Sequence, residues 1–395
     1  MLNYGRHFID NEDIRKVVKV LKSNNLTQGS EVHRFEKDLS VKFGASDTAA
    51  LSSGTAALHL SGLALGWKKN DVIITTPITF ASTANSVLFS GAKLDFVDIN
   101  EEDYNLDLNL LEDKVKKYKK KKISIKSVIA IDYAGNPCDW KSLSYLSKKY
   151  KFSLINDNCH AIGAMYYKSI KYAVKYADLV THSYHAVKNI TTGEGGAVLS
   201  KNKKLIQKIK LLRTHGLNYL KRKETNNLSF YDMQNLGFNY RITDFQCALG
   251  SSQLKKLNKF ILHRREVANE YNKAFENDSR FIIPKISNKN YHAYHLYPLL
   301  INFDKVKMNK YLLYKKLLTS NIKLQNHYLP IYRHSYYKEN FNFYAKNFPK
   351  CENFFKNQIS LPIFYGIKKT QILKVVKNIK MFCKIKWKKL IIIKT

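Results

Sequence analysis

The chain reads as an α/β protein, a larger domain built on a mainly parallel sheet followed by a smaller α+β C-terminal domain. Short apolar runs, K-L-D-F-V-D-I, I-K-S-V-I-A-I-D-Y-A-G, F-S-L-I-N-D, A-D-L-V-T-H-S and G-A-V-L-S, alternate with helical stretches. That is the rhythm of repeated βαβ units. Polar or aromatic candidates, Phe80, Asp132, Asp157 and Ser183, recur at or just past strand ends, where open α/β sheets place their sites. With 395 residues and 45% apolar content, the chain has material for two domains at about 150 residues each.

In order, N-E-D-I-R-K-V-V-K-V-L-K carries Ile14, Val17, Val18 and Leu21 at helical spacing. The polar N-N-L-T-Q-G follows, then a helix around Phe35, Leu39 and Phe43. In S-S-G-T-A-A-L-H-L-S-G-L-A-L, residues Ala56, Leu60, Leu63 and Ala64 form one face, with Gly54 and Thr55 at the helix start. Free N–H groups there suit an anion, although the segment by itself reads first as an ordinary capped helix. D-V-I-I-T-T-P-I is a strand, and Phe80 beyond it is either a core ring or a platform for a flat ligand. The lysine-rich V-K-K-Y-K-K-K-K reads as a solvated helix end. From about residue 250, S-S-Q-L-K-K-L-N-K-F-I-L-H-R-R-E-V-A is a long amphipathic helix linking the two domains.

The stretch with the most chemistry is Ser183 to Gly196, S-Y-H-A-V-K-N-I-T-T-G-E-G-G, where Lys188 stands at the sheet rim between two strands. A lysine there is a solvated side chain or an amine made reactive by its surroundings. Asp157 and His160, in F-S-L-I-N-D-N-C-H-A, end the preceding strand and deliver a carboxylate and an imidazole towards it. That trio suits a pyridinium cofactor: the carboxylate holds the ring-nitrogen proton and the amine takes the aldehyde carbon.

The net charge of +36 would fit a polyanion partner if it were concentrated, but the lysines are spread along the chain and no nucleic-acid module is visible. The residual pull is towards anionic substrates. Five scattered cysteines without a C-x-x-C pair favour neither disulfides nor zinc and fit a cytoplasmic protein. No signal pattern or membrane-length apolar run is present, and the basic end K-I-K-W-K-K-L-I-I-I-K-T reads as a terminal extension. His182 and His185 are a poor metal pair, since H-x-x-H on a strand sends its rings to opposite faces. T-T-G-E-G-G lacks the G-K-[ST] of a P-loop.

Taken together, S-Y-H-A-V-K-N-I-T-T-G-E-G-G, I-N-D-N-C-H-A-I-G-A, L-S-S-G-T-A-A-L-H-L, N-N-L-T-Q-G and G-F-N-Y-R-I-T-D-F-Q-C-A-L-G resemble the sugar aminotransferases of the DegT/DnrJ/EryC1/StrS family, in order and spacing, from Tyr4 to about Phe382. The resemblance implies the fold type I of pyridoxal 5'-phosphate (PLP) enzymes, with a large PLP-binding domain and N-terminal arm over 1–250, a small domain over 251–382 and a basic extension over 383–395. It implies Lys188 as the residue linked to PLP and moving protons, Asp157 on the ring nitrogen and His160 on the ring hydroxyl. Gly54, Thr55, Ala56 and Ser183 would hold the phosphate, joined by Asn239 of a second subunit in a homodimer, and Phe80 would lie on the ring. Tyr4, Asn25, Thr27, His327, Tyr328 and Pro330, with Lys188 and Asn239, would meet the substrate.

The implied reaction moves an amino group from L-glutamate to a nucleotide-linked keto sugar. Many relatives have Glu where Asn156 stands, Gln at His160, Pro at Ala186 and Gly-Pro at Gly29-Ser30. His160 and Ala186 are familiar in the pseudaminic-acid subgroup, which points to UDP-2-acetamido-2,6-dideoxy-β-L-arabino-hexos-4-ulose ahead of perosamine or aminoarabinose precursors. Lys188 argues against the dehydratases of the family, which carry His there. A non-catalytic binding or regulatory protein on the same fold is the alternative of another class.

Overall fold

The computed structural model describes residues 1–218 and 231–385. Its centre is a seven-stranded sheet formed by Asp47–Leu51 (β1), Val72–Thr75 (β2), Lys93–Phe96 (β3), Ile125–Ile131 (β4), Ser153–Asp157 (β5), Leu179–Ser183 (β6) and Gly196–Ser200 (β7), in the order β1-β7-β6-β5-β4-β2-β3. β7 is antiparallel to both neighbours and all other pairs among β2 to β6 are parallel.

Each central strand is apolar on both faces, as a sheet covered on two sides requires. Along β4, Val128 and Ala130 join one core cluster while Ile129 and Ile131 join another, so the alternation of the strand sorts its residues into two layers. The first layer takes Phe35, Leu39 and Phe43 from Ser30–Phe43 (α2) and Leu257 and Phe260 from Asp244–Phe275 (α7). The second takes Leu58 and Leu60 of Gly54–Ala64 (α3) and Val87 of Ala81–Phe89 (α4). Helix α3 was expected to bury one face; it is covered nearly all round, including Ala57, His59, Ser61 and Gly62, because it lies between the sheet and its neighbours.

The 32-residue α7 starts with a capping box between Thr243 and Gln246 and runs from the first layer into a third cluster. That cluster gathers Val267, Tyr271 and Phe275 of α7 with Tyr297–Ile301 (β9), Gln358–Leu361 (β10) and Ile372, Val375 and Ile379 of Lys369–Phe382 (α10). β9 pairs antiparallel with β10 and with Phe281–Ile282 (β8). Between β9 and β10, Lys310–Thr319 (α8) packs on the third cluster, whereas the chain from Ile331 to Phe354, including the start of Pro349–Asn357 (α9), returns to the second layer. The N-terminal Leu2–Asn3 pairs with Ile322–Lys323, which brings Tyr4 to the rim of the central sheet. Asn11–Leu21 (α1) follows and packs on α7. Of the terminal segment 383–395, Cys383 is buried and Ile385 bridges Val306, and residues 386–395 lie outside the described part.

Candidate active site

The C-terminal edge of the parallel strands opens into a cavity of about 440 Å³. Tyr4, Gly54, Thr55, Phe80, Asp157, His160, Ser183, Lys188, His327 and Tyr328, all singled out from the sequence, line it together.

Lys188 is partly buried between β6 and β7, and its Nζ lies 3.5 Å from Nε2 of His295. Burial pulls its amine below the ordinary lysine range, opposed by Cys159 and Asp157. Loss of hydration disfavours the charged form, so the unprotonated, nucleophilic amine is more accessible than on a surface lysine. Asp157 ends β5; its Oδ2 accepts from Thr83 Oγ1 at 2.9 Å, its Oδ1 from the Cys159 N–H at 3.3 Å, and Thr83 is tied to Thr79 at 2.8 Å. The carboxylate is thus aimed by a hydroxyl from α4 and a backbone donor, with the cavity in front of it.

His160 is clamped at both nitrogens. The Ala134 N–H reaches Nδ1 at 3.3 Å, so Nε2 carries the proton and donates to the Tyr328 hydroxyl at 2.9 Å. Burial, with Lys188 and His327 nearby, holds the imidazole neutral. His295 packs against it with the rings tilted by 40° and their centroids 4.6 Å apart, and is also kept neutral, first by burial and then by Lys188. Its Nδ1 is buried with no hydrogen-bond partner among the described residues.

An anion cradle forms where β1 passes into α3. Ser53 caps the helix by accepting from the Ala56 N–H at 3.1 Å, which occupies that donor and leaves Ala56 outside the cavity lining. The first-turn N–H groups of Gly54 and Thr55 have no intrahelical partner. A Cβ on Gly54 would stand 2.8 Å from Cβ of Ser183, so the glycine is what lets the Ser183 hydroxyl and the helix start share one concavity. Backbone donors, two serine hydroxyls and a threonine side chain suit a phosphate; the amine, the carboxylate and the exposed Phe80 ring, beyond the cradle, suit the polar and flat parts of PLP.

The structure leaves other candidates apart. Asn25 and Thr27 are exposed, and Thr27 bridges Thr243 at the start of α7. Asn239 is exposed and bridges Thr214. Pro330 is buried outside the lining, where the following Ile331 N–H bonds to Pro77. His182 lies in the core against Tyr184 and Phe43, while His185 stands at the cavity mouth 3.8 Å from Glu194, so the two do not share a ligand. Asp132 is fully buried and accepts from the Cys138 N–H, Trp140 Nε1, Asn156 Nδ2, Asn158 Nδ2 and Tyr172 OH. Its donors all come from the surrounding fold, and it does not line the cavity.

Sequence reasoning passed over His295, Thr79, Thr83, Gln325 and Glu194. The first stands in Y-H-A-Y-H-L, where nothing local links it to Lys188.

A model of the DegT/DnrJ/EryC1/StrS aminotransferase family matches residues 7–380. The UDP-4-amino-4,6-dideoxy-N-acetyl-β-L-altrosamine transaminase of Campylobacter jejuni is 42% identical over 362 residues, covering 92% of each chain. Among solved structures, Helicobacter pylori PseC, described as an aminotransferase of pseudaminic acid biosynthesis, superposes with a TM-score of 0.87 at 32% identity, over 96% of this chain and 99% of its own. The PLP form of the sugar aminotransferase Spr1654 of Streptococcus pneumoniae gives 0.87 at 25% identity, covering 96% and 98% of the two chains.

Proposed function

Since the chain belongs to the DegT/DnrJ/EryC1/StrS aminotransferase family and is a PLP-dependent sugar aminotransferase, we propose that it transfers the amino group of L-glutamate to UDP-2-acetamido-2,6-dideoxy-β-L-arabino-hexos-4-ulose, at the 4-keto carbon, in pseudaminic acid biosynthesis. The observation that carries this reading is the meeting of a desolvated lysine amine, Lys188, and a carboxylate, Asp157, in one cavity beside an anion cradle. The identity to a transaminase acting in that pathway supports the choice of sugar.

PLP supplies, when bound, an aldehyde carbon and a ring that draws electrons from the bond being broken. The residues around it do the rest. Asp157 would hold a proton at the ring nitrogen. The cradle of Ser53, Gly54, Thr55 and Ser183 would hold the phosphate, and Phe80, at the cavity lining, would pack on the flat part of the cofactor. Lys188 Nζ, when free, would take a proton from the donor's Cα and deliver it to the former aldehyde carbon, a transfer that general acid–base catalysis makes roughly 10²–10⁴-fold faster. Tyr4, His327 and Tyr328 line the remaining space, where the keto sugar sits.

Residues 1–250 and 251–382 serve as large and small domains in this reading, and the enzyme works in the cytoplasm as a homodimer. No helix among the described residues is long and apolar enough to cross a membrane. A coupled assay with L-glutamate over a panel of UDP- and dTDP-linked 4-keto sugars tests the assignment. The UDP-linked 2-acetamido sugar should give the highest kcat/KM; a preference for a dTDP-linked perosamine-type precursor, or for a UDP-linked aminoarabinose precursor, would replace it.

A further inference from the structure

Two residues of β10, Gln358 and Ser360, are fully buried polar side chains on a strand otherwise made of Ile359 and Leu361. At i and i+2 they face the same side, and burying them costs free energy unless their hydrogen bonds are made. Both are directed at one residue of the cavity wall, His327.

The hydrogen-bond directions follow from a donor whose identity is certain. The backbone N–H of His327 meets Oε1 of Gln358 at 3.4 Å, which fixes the amide with its oxygen on that side. Nε2 of Gln358 therefore donates to Ser360 Oγ, 2.7 Å away. The hydroxyl of Ser360 is fully buried, and among the described residues the one remaining partner for its own proton is Nδ1 of His327 at 2.8 Å, so the proton is donated there rather than left unpaired. Nδ1 is thus an acceptor. A neutral imidazole carries one proton, and it stands on Nε2. The backbone of the residue is held as well, since Tyr133 OH donates to the His327 carbonyl at 2.5 Å, and the side chain of the preceding Asn326 accepts from Lys310 Nζ at 3.0 Å.

The adjacent residue arrives at the same polarity by another path. His160 spends its Nε2 proton on the Tyr328 oxygen, leaving the hydroxyl's own proton to be donated elsewhere. We infer that Gln358 and Ser360 are positioning residues that fix the tautomer of His327, so that His327 Nε2–H and Tyr328 O–H form a two-donor site for a substrate oxygen that has no proton of its own, the carbonyl oxygen of the keto sugar. The inference rests on the reading of this cavity as the keto-sugar site. It names the chemical group recognised there: an oxygen that only accepts fits, whereas a group that must donate to both meets two donors and is rejected.

The test uses full-length, cofactor-free protein labelled with ¹⁵N-histidine, in which long-range ¹H–¹⁵N correlations report the tautomer of each ring, with His327→Gln giving the assignment. Wild type should show the His327 proton on Nε2. Ser360→Ala should move it to Nδ1 or produce a mixture, and Ser360→Thr, which keeps the hydroxyl, should restore it. In the loaded enzyme, Ser360→Ala should raise KM for the keto sugar about tenfold, the effect of losing one good hydrogen bond, while the half-reaction with glutamate keeps its rate. A wild-type His327 protonated on Nδ1 overturns the relay, and that result needs no folded variant. An unchanged keto-sugar KM in a Ser360→Ala protein whose tautomer has shifted overturns the recognition. A wild type with the Nε2 proton in place that aminates no keto sugar defeats the proposed function and leaves the relay standing, so the two failures are distinct.

Discussion

At the scale of single residues, the site is a contest between desolvation and charge. Lys188 loses hydration near Asp157, and the three histidines around it, His160, His295 and His327, are all neutral for the same reason, burial, reinforced by the lysine's own charge. The cavity therefore offers one reactive nitrogen amid imidazoles that hydrogen-bond without titrating near neutrality; His327, for one, is pushed down to about 3. Arginine cannot replace this lysine, since its guanidinium stays charged and offers no primary amine. Lys188→Arg should abolish the visible absorbance of the purified protein, leave no borohydride-reducible adduct and lower turnover by at least roughly 10²-fold. Retention of a reducible adduct would move the covalent link to another lysine.

At the scale of elements, two features carry consequences for the site. Gly196 opens β7 opposite Leu51, and a Cβ there would stand 2.3 Å from the Ser53 carbonyl oxygen and 2.7 Å from the Gly54 nitrogen. Both are backbone atoms of the cradle and have little room to yield. Overpacking of this kind costs about 1–3 kcal/mol, so Gly196→Ala should lower the melting temperature and weaken PLP roughly tenfold or more in equilibrium dialysis. Lys310, the first residue of α8, is the second feature: burial brings its pKa down to about 7 although Asn326 and the Phe355 carbonyl accept from it. The unfolded chain holds that proton up to the ordinary lysine range and the folded chain releases it earlier. The destabilisation is therefore complete below about pH 7 and fades as pH rises towards 10.5. In parallel melts, Lys310→Met should gain most over wild type at pH 6 and lose that advantage by pH 10; a pH-independent difference would show that Lys310 is charged throughout.

These elements also mark what the sequence could and could not disclose. The parallel strands were legible because burial on both faces leaves short apolar runs such as S-V-I-A-I, and Lys188, Asp157 and Ser183 were legible because they sit at the ends of those runs. Helix α3 misled because a helix enclosed on every side has no polar face to set its period. His295, Ser360 and Gln358 were silent for a different reason: each gains its meaning from a partner 31 or more residues away, and no local pattern records such a contact. Lys310 was hidden by composition, one of 67 basic residues that look alike until one is buried.

At the scale of the whole molecule, the described chain lines the cavity and leaves several expected contributors, Asn25, Thr27, Asn239 and Pro330, outside it. Asn239 is exposed at its bridge to Thr214, and Leu236, Met233 and Tyr231 near it are exposed apolar side chains on the same segment. An exposed polar group expected at a phosphate, amid apolar side chains that the described residues leave exposed, fits a surface that meets a second copy. A two-fold interface presents the same patch twice, so each chain both lends and receives such a residue. In the homodimer we propose, Asn239 completes the partner's anion cradle. Lys188→Ala and Asn239→Ala proteins should then each be weakly active alone, and a mixture allowed to exchange subunits should recover up to about one quarter of wild-type activity. The fraction follows from random pairing: half of the dimers are mixed, and each mixed dimer has one site with both groups intact. Activity that stays at the level of the parents, with exchange verified by mass spectrometry, would place Asn239 in its own chain's turn instead, as Asn commonly serves.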